Sequence, residues 1–224
     1  MSDFTDVDAF VRLVSMDCPG GPDFVKQRAV LQSAVQFFKE TRAWRAHFPG
    51  GVMVGAFAPE ADLNQVATWV GKHTRVLDID GCWLNACGTP LKQIHRTMLN
   101  TSRPGWRKDT ADLPTGYFLF PPRHLRVYPA PSDDAGMVSL DVELVLLPSM
   151  EASRLPDFAY DVYGEVICAG AIQRLKSQPG VEWTNPEQAR YFLRAYREGI
   201  HKARLEKAQR VADAINERRR QTHR

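Results

Sequence analysis

Proline placement constrains this chain more than any other feature. Proline locks φ near −65° and removes a backbone donor, so it is kept out of helix interiors and central strands. Of the fifteen prolines, nine fall between Pro59 and Pro148, and outside that window the long helical patterns carry proline only at or just before their starts. The expected fold is α+β: an antiparallel helical bundle built from both chain ends, with a β-rich insert between and a long projecting C-terminal helix. There is no internal repeat and no low-complexity tract. The boundaries read this way are residues 1–50 and 149–210 for the bundle, 51–148 for the insert and 211–224 for a basic limb.

The first long helix is expected over residues 22–44, with Pro22 at its first position and Asp23 where a negative charge suits the dipole. Phe24, Leu31, Val35 and Phe38 fall on one stripe at a 3.6 period. A shorter helix is expected around residues 7–14, and Gly50-Gly51 closes this region. Pro156-Asp157 opens another helix that runs to about Ser177, where Pro179-Gly180 stops it. On it, Tyr160, Gly164, Ile167, Cys168, Ala171 and Leu175 share one face, and Phe158, Val162, Val166 and Ala169 occupy much of the other. A helix apolar on both sides is a buried one. Gly164 and Gly170 each cost about 1 kcal/mol relative to alanine inside a helix, and the expected compensation is close approach of a neighbour. The last helix opens at Thr184-Asn185-Pro186-Glu187, with Asn185 as N-cap. Ala189, Phe192, Leu193, Tyr196, Ile200 and Ala203 form its stripe, which Val211, Ala212 and Ile215 continue only loosely. If helical to Arg219 it spans about 50 Å at 1.5 Å per residue, more than a small bundle covers. Its far end is therefore expected to project and pack on something else.

In the insert, Val138, Leu140, Val142, Leu144 and Leu146 alternate with Ser139, Asp141 and Glu143 before Val145 and Leu147, a half-buried strand losing its polar face toward its end. Residues 117–120 and 125–128 are its expected partners, with Ser132-Asp133-Asp134-Ala135-Gly136 as the connecting turn. Further strands are expected over residues 52–57, 66–70 and 74–79.

Among the 224 residues, 44% are hydrophobic and 25% charged, the range of ordinary globular chains. No stretch approaches the roughly 20 apolar residues of a membrane span. Residues 1–10 carry acids and no basic leader segment, so no secretory signal is expected. Four scattered cysteines fit a reduced, cytoplasmic origin. Net charge is +3 but unevenly placed: from Arg190 to Arg224 there are eleven Lys/Arg against four Asp/Glu, leaving 18 against 22 for the rest. The chain reads as a basic C-terminal limb on a mildly acidic body.

Candidate chemistry is sparse. Cys82-x₄-Cys87 with His73 and His95 offers one cysteine pair where zinc sites use two compact pairs, and packing cysteines are the preferred reading. Cys168 reads as core. Asp78 and Asp80 could act as paired carboxylates, although solvated acids before the Gly81 turn are the simpler reading. There is no nucleophile elbow and no phosphate loop. Arg218-Arg219-Arg220 with His223 and Arg224 could neutralise phosphates, but no aromatic residues interleave them for base stacking. Trp183 is expected to staple the start of the last helix. Trp106, among Arg103, Pro104, Gly105, Arg107 and Lys108, is expected in an exposed loop.

The run from Leu155 onward carries the most information: Leu155-Pro156-Asp157, Tyr163-Gly164-Glu165, Ala169-Gly170-Ala171, Arg174-Leu175, Pro179-Gly180, Trp183, Asn185-Pro186, Ala189, Tyr196, Gly199-Ile200 and Ala203-Arg204. It resembles the C-terminal half of the head-to-tail adaptor (connector) proteins of short-tailed bacteriophages and related prophages. Upstream, Pro114-x-x-Tyr117, Tyr128-Pro129-x-Pro131 and Leu147-Pro148 look like that family's β-insert. The resemblance covers residues 50–205 and is strongest in the last third. It implies a non-enzymatic virion protein of the neck, made in the host cytoplasm, without cofactor, metal or membrane. Twelve copies would form a ring below the portal and above the tail nozzle or tail tube, through which genomic DNA passes without specific recognition. The bundle would be the ring body, the insert would face the tail, and the limb would reach along the portal.

The expected partner-docking residues are Arg210, Arg218, Arg219, Arg220, Arg224 and Trp106. The expected helix-packing residues are Gly164, Gly170, Ala171, Phe192, Tyr196 and Ile200. The alternative is a small basic nucleic-acid-binding protein that uses the C-terminal helix.

Overall fold

The computed structural model describes residues 4–120 and 123–222, without the side chains of Lys207 and of residues after Gln209. The N-terminal elements are β1 (Phe4–Asp6), α1 (Val7–Asp17) and α2 (Asp23–Thr41). There follow β2 (Arg45–Val54), β3 (Glu60–Asp62), α3 (Leu63–Ala67), β4 (Thr74–Leu84), β5 (Lys92–Gln93), α4 (Arg96–Ser102), β6 (Thr110–Ala111), β7 (Gly116–Phe120), β8 (His124–Tyr128), β9 (Ala130–Pro131) and β10 (Val138–Pro148). The chain closes with β11 (Arg154–Pro156), α5 (Asp157–Asp161), α6 (Gly164–Lys176) and α7 (Pro186–Thr222). The fold is α+β, in two compact units: Met1–Ala43 with Pro148–Arg224, and Trp44–Leu147. The first boundary lies at 43/44 and not at 50/51, because β2 begins at Arg45 and runs straight through Gly50-Gly51. Gly50 takes φ +60° and its N–H donates to Asp141 Oδ1 at 2.6 Å, opposite the register shift between Leu140 and Val142. A glycine pair that reads as a terminator is a bulge within a strand.

In the helical unit, β1 and β11 pair antiparallel, Phe4 opposite Pro156, and tie the N-terminus to the returning chain. α1 buries Phe10 and Val14, and Phe10 meets Tyr160 edge-on at 5.1 Å. α2 buries Leu31 and Phe38 of the expected stripe together with Val30, Ala34 and Phe37, whereas Val35 is half-buried and Phe24 is 72% exposed, so the buried face is wider than the stripe and leaves out its first residue. It stops at Thr41, short of Trp44: Arg42 turns left-handed (φ 53°) and its N–H caps the Phe38 carbonyl at 2.8 Å. Pro22 is the N-cap, one position earlier than expected. The helix expected over residues 156–177 is two helices, broken at Val162-Tyr163, where Tyr163 has φ −121° and ψ 8°. Both residues are weaker helix formers, and the break lets the Tyr163 ring pack on Phe37 at 4.8 Å.

The strand unit holds three sheets among its described residues. β10 lies between β2 and β4, with the sawtooth burial of its first half giving way to continuous burial after Leu144. β7 and β8 pair with each other, Leu119 opposite Leu125, in a second sheet of order β3-β8-β7-β5. They are not partners of β10, as expected from sequence, because the Ser132–Ala135 turn follows β9, which pairs in parallel with β6. The strand expected over residues 66–70 is replaced by α3 and its closing turn. Asp62 caps α3 by accepting from the Asn64 N–H at 2.9 Å, and Leu63, Val66 and Ala67 are buried at helical spacing.

Candidate assembly surface

The helical unit is organised where α2, α6 and α7 meet. Ser33 on α2 donates its hydroxyl to the Ile167 carbonyl at 2.7 Å, and the Tyr196 hydroxyl on α7 donates to the Ser33 carbonyl at 2.9 Å. Gly170 makes this crossing fit: a Cβ there would stand 2.2 Å from Ser33 Oγ and 2.7 Å from Tyr196 Cε2. Arg174 closes the cluster. Its guanidinium lies 5.8 Å from the Tyr196 ring centroid, donates to the Gly170 carbonyl at 2.8 Å and donates also to Gln36 Oε1. Burial pushes the Tyr196 phenol up, and the Arg174 charge offsets part of that. Three helices are thus held by hydrogen bonds as well as by apolar contact, which favours one arrangement over sliding alternatives.

Ala171, Tyr196 and Ile200 are buried, and Phe192 is half-buried. Gly164 is different: it stands at the first position of α6 and a Cβ there would meet nothing within 4 Å. Close approach therefore explains Gly170 and not Gly164. The second close-approach glycine is Gly199 on α7, where a Cβ would fall 2.5 Å from Val166 Cγ2. Its spacing from Tyr196, one turn apart, was the available signal, and sequence reading passed over it.

Asn185 caps α7 as expected, its side chain accepting from the Gln188 N–H at 3.1 Å. Ala189, Tyr196, Ile200 and Ala203 are buried, and no described side chain after Ala203 is; Leu205 is 57% exposed. The flank beside this stripe, centred about 110° around the helix from it, carries Arg190, Arg194, Arg197, His201 and Arg204, all exposed. At 100° per residue they occupy an arc of about 80°. Arg204 pairs with Glu40 Oε2 at 3.1 Å, while no ion pair among the described residues involves Arg190, Arg194 or Arg197. The side chains of Arg210, Arg218, Arg219 and Arg220, and the whole of Arg224, lie outside the described residues.

Trp106 is not at an exposed surface. It is 3% exposed in a core with Leu99 and Phe118, donates from Nε1 to Asn100 Oδ1 at 2.9 Å, and is flanked by Arg107 and Arg126 at 4.8 and 5.0 Å from its ring. The 3-10 turn Trp106–Lys108 folds the indole inward beneath those guanidinium groups. Trp106 is a core residue and offers no docking surface, contrary to expectation.

No protein-family model and no curated protein matches this chain.

The remaining chemical candidates are dispersed. Cys82 is buried in β4, its thiol pushed up to about 12 by burial, whereas Cys87 is exposed, its thiol lowered by hydrogen bonds to Thr89. Cys168 is buried on α6, its thiol likewise raised to about 12 by burial. Asp80 pairs with Arg45 at 2.5 Å and Asp78 accepts from the Ile79 N–H at 2.9 Å. Among the described residues, no three of His, Cys, Asp and Glu gather as a metal site.

Proposed function

We propose that this chain is a head-to-tail adaptor of a tailed bacteriophage, a subunit of a ring between the portal and the tail. The ring closes the DNA channel after packaging and passes DNA at ejection, and the work is associative, with no bond chemistry by this chain. The helical unit is read as an antiparallel bundle forming the ring body, the strand unit as the part facing the tail, and the far end of α7 as a projecting arm toward the portal.

The observation that carries this reading is the mismatch between α7 and its cover. The helix runs from Pro186 to Thr222, about 55 Å at 1.5 Å per residue, yet its last buried described side chain is Ala203. Helices in proteins owe most of their stability to tertiary packing, so the described turns past that point, where Arg204, Leu205, Ala208 and Gln209 are exposed, call for a partner. The test is to mix purified chain with portal ring and image the product. A co-migrating complex with a second ring stacked on the portal supports the adaptor; free portal and free chain at all ratios rule it out.

The basic flank of α7 favours one other reading, a nucleic-acid-binding protein. It predicts DNA affinity that falls steeply with salt, where the adaptor predicts portal binding that persists without DNA.

A further inference from the structure

Besides its basic flank, the helical unit has a second groove of opposite character. Gln36, Glu40, Gln173, Arg197, His201 and Arg204 line a cleft of about 390 Å³ along α7. Asp6, Asp8, Gln27, Leu31, Met150 and Glu151 line another of about 340 Å³ beside the start of α1. In the second cleft Asp6 is bonded to Arg154 Nε at 2.7 Å and Asp8 accepts from Gln27 Nε2 at 2.8 Å. The Glu151 carboxylate has no ion pair among the described residues, and Met150 and Leu31 supply an apolar lining.

Helix α2 is a wall of both. Gln27 and Gln36, like Leu31 and Glu40, stand nine positions apart, about two and a half turns. The acidic and basic clefts therefore open on opposite sides of one helix. A surface of one sign with its complement on the far side suits head-to-tail association, in which unlike patches meet and each copy presents a fresh patch to the next. It does not suit a two-fold dimer, which would set like charge against like.

We infer that the basic flank of α7 in one copy docks into the acidic cleft of α1 and α2 in the next, forming a heterologous interface between copies of this chain. This rests on the ring reading above and names the surfaces that would build the ring. Arg194 and Arg197 face Asp8 and Glu151, and Met150 covers the apolar edge of the contact. Such attraction weakens with salt, since exposed charges are screened beyond about 10 Å at 0.1 M.

The experiment is sedimentation velocity on the full chain at low and high salt, with two charge-reversed variants, R194E/R197E and D8K/E151K. Wild type assembles at low salt, and each variant self-associates about a hundredfold more weakly or worse, since juxtaposed like charges cost several kcal/mol. Mixed in equal amounts, the two variants assemble in alternation, because the intact flank meets the intact cleft and the reversed flank meets the reversed cleft. The fourfold-reversed chain assembles again. If either reversed pair fails to fold by circular dichroism, R197Q and E151Q decide by the same assay.

Assembly indifferent to the reversals overturns the interface and leaves ring formation standing. Wild type that is monomeric at low salt but still stacks on a portal overturns the interface and leaves the adaptor standing. Retention of wild type on duplex DNA at physiological salt, lost in R194E/R197E, assigns the flank to nucleic acid and overturns it.

Discussion

The helical unit and the strand unit bury their cores by different means. The helical unit is assembled from distant parts of the chain, and its helices are fixed at a few points where a polar bond and a missing side chain coincide: Ser33 to Ile167, Tyr196 to Ser33, and Gly170 between them. The strand unit is one continuous segment with small sheets, and its second sheet depends on a bulky centre, Trp106 with Leu99 and Phe118 under two arginines. At these positions the helical unit is sensitive to an added atom and the strand unit to removed ones. That contrast follows from close packing, where both overfilling and voids cost free energy.

The contrast can be broken by mutation. Trp106→Ala should cost about 3–5 kcal/mol, the range for deleting a large buried aromatic. Hydrogen exchange should accelerate across β5 to β9 and stay slow in α2 and α6; uniform acceleration would mean the units do not differ in this way. Gly170→Ala should cost about 1–3 kcal/mol through overpacking, whereas Gly164→Ala should stabilise by up to about 1 kcal/mol, as the added methyl meets open space. Urea melts of the pair test this, and equal effects would contradict the assigned crossing. Tyr196→Phe should cost about 1 kcal/mol for the lost bond to Ser33.

The smallest effect under ordinary conditions is alkaline. Cys82 and Cys168 are raised from 9.0 to about 12 by burial. The native state thus holds protons that the unfolded chain has lost, and stability falls as pH rises from about 9 toward 12. Below pH 8 both states are protonated and no dependence arises from these groups. Cys168→Ala should flatten the alkaline slope of stability measured by urea unfolding, and an unchanged slope would contradict the assignment.

What sequence could reveal differs between the units for the same physical reason. Helix positions, the Asn185 cap and the α7 stripe were legible because helical signals are local. The exposure of Phe24 was not, since Phe24 fits a helical stripe as well as Phe37 does, and only the packing partners choose between them. In the strand unit, β10, β7 and β8 were legible as strands, but their pairing was not, because alternation states which face is buried and says nothing about the neighbour. Asp62 ahead of Leu63 carries a cap signal for α3, whereas the apolar run of residues 66–70 reads as a strand. Trp106 was misplaced because its basic, glycine- and proline-bearing context reads as surface, while cation–π contact lets the same arginines roof a buried indole. Of the proposed assembly surface, sequence marked the basic limb, and the acidic cleft emerged only when Asp8 and Glu151 were brought together by folding.

The central claim is that α7 finishes its packing on another molecule, and electron cryo-microscopy of the virion neck tests it most directly. The account predicts a closed ring of this chain between portal and tail, with α7 of each copy covered by its neighbour or by portal. A neck without this chain, or copies in which α7 past Ala203 contacts nothing, would contradict it.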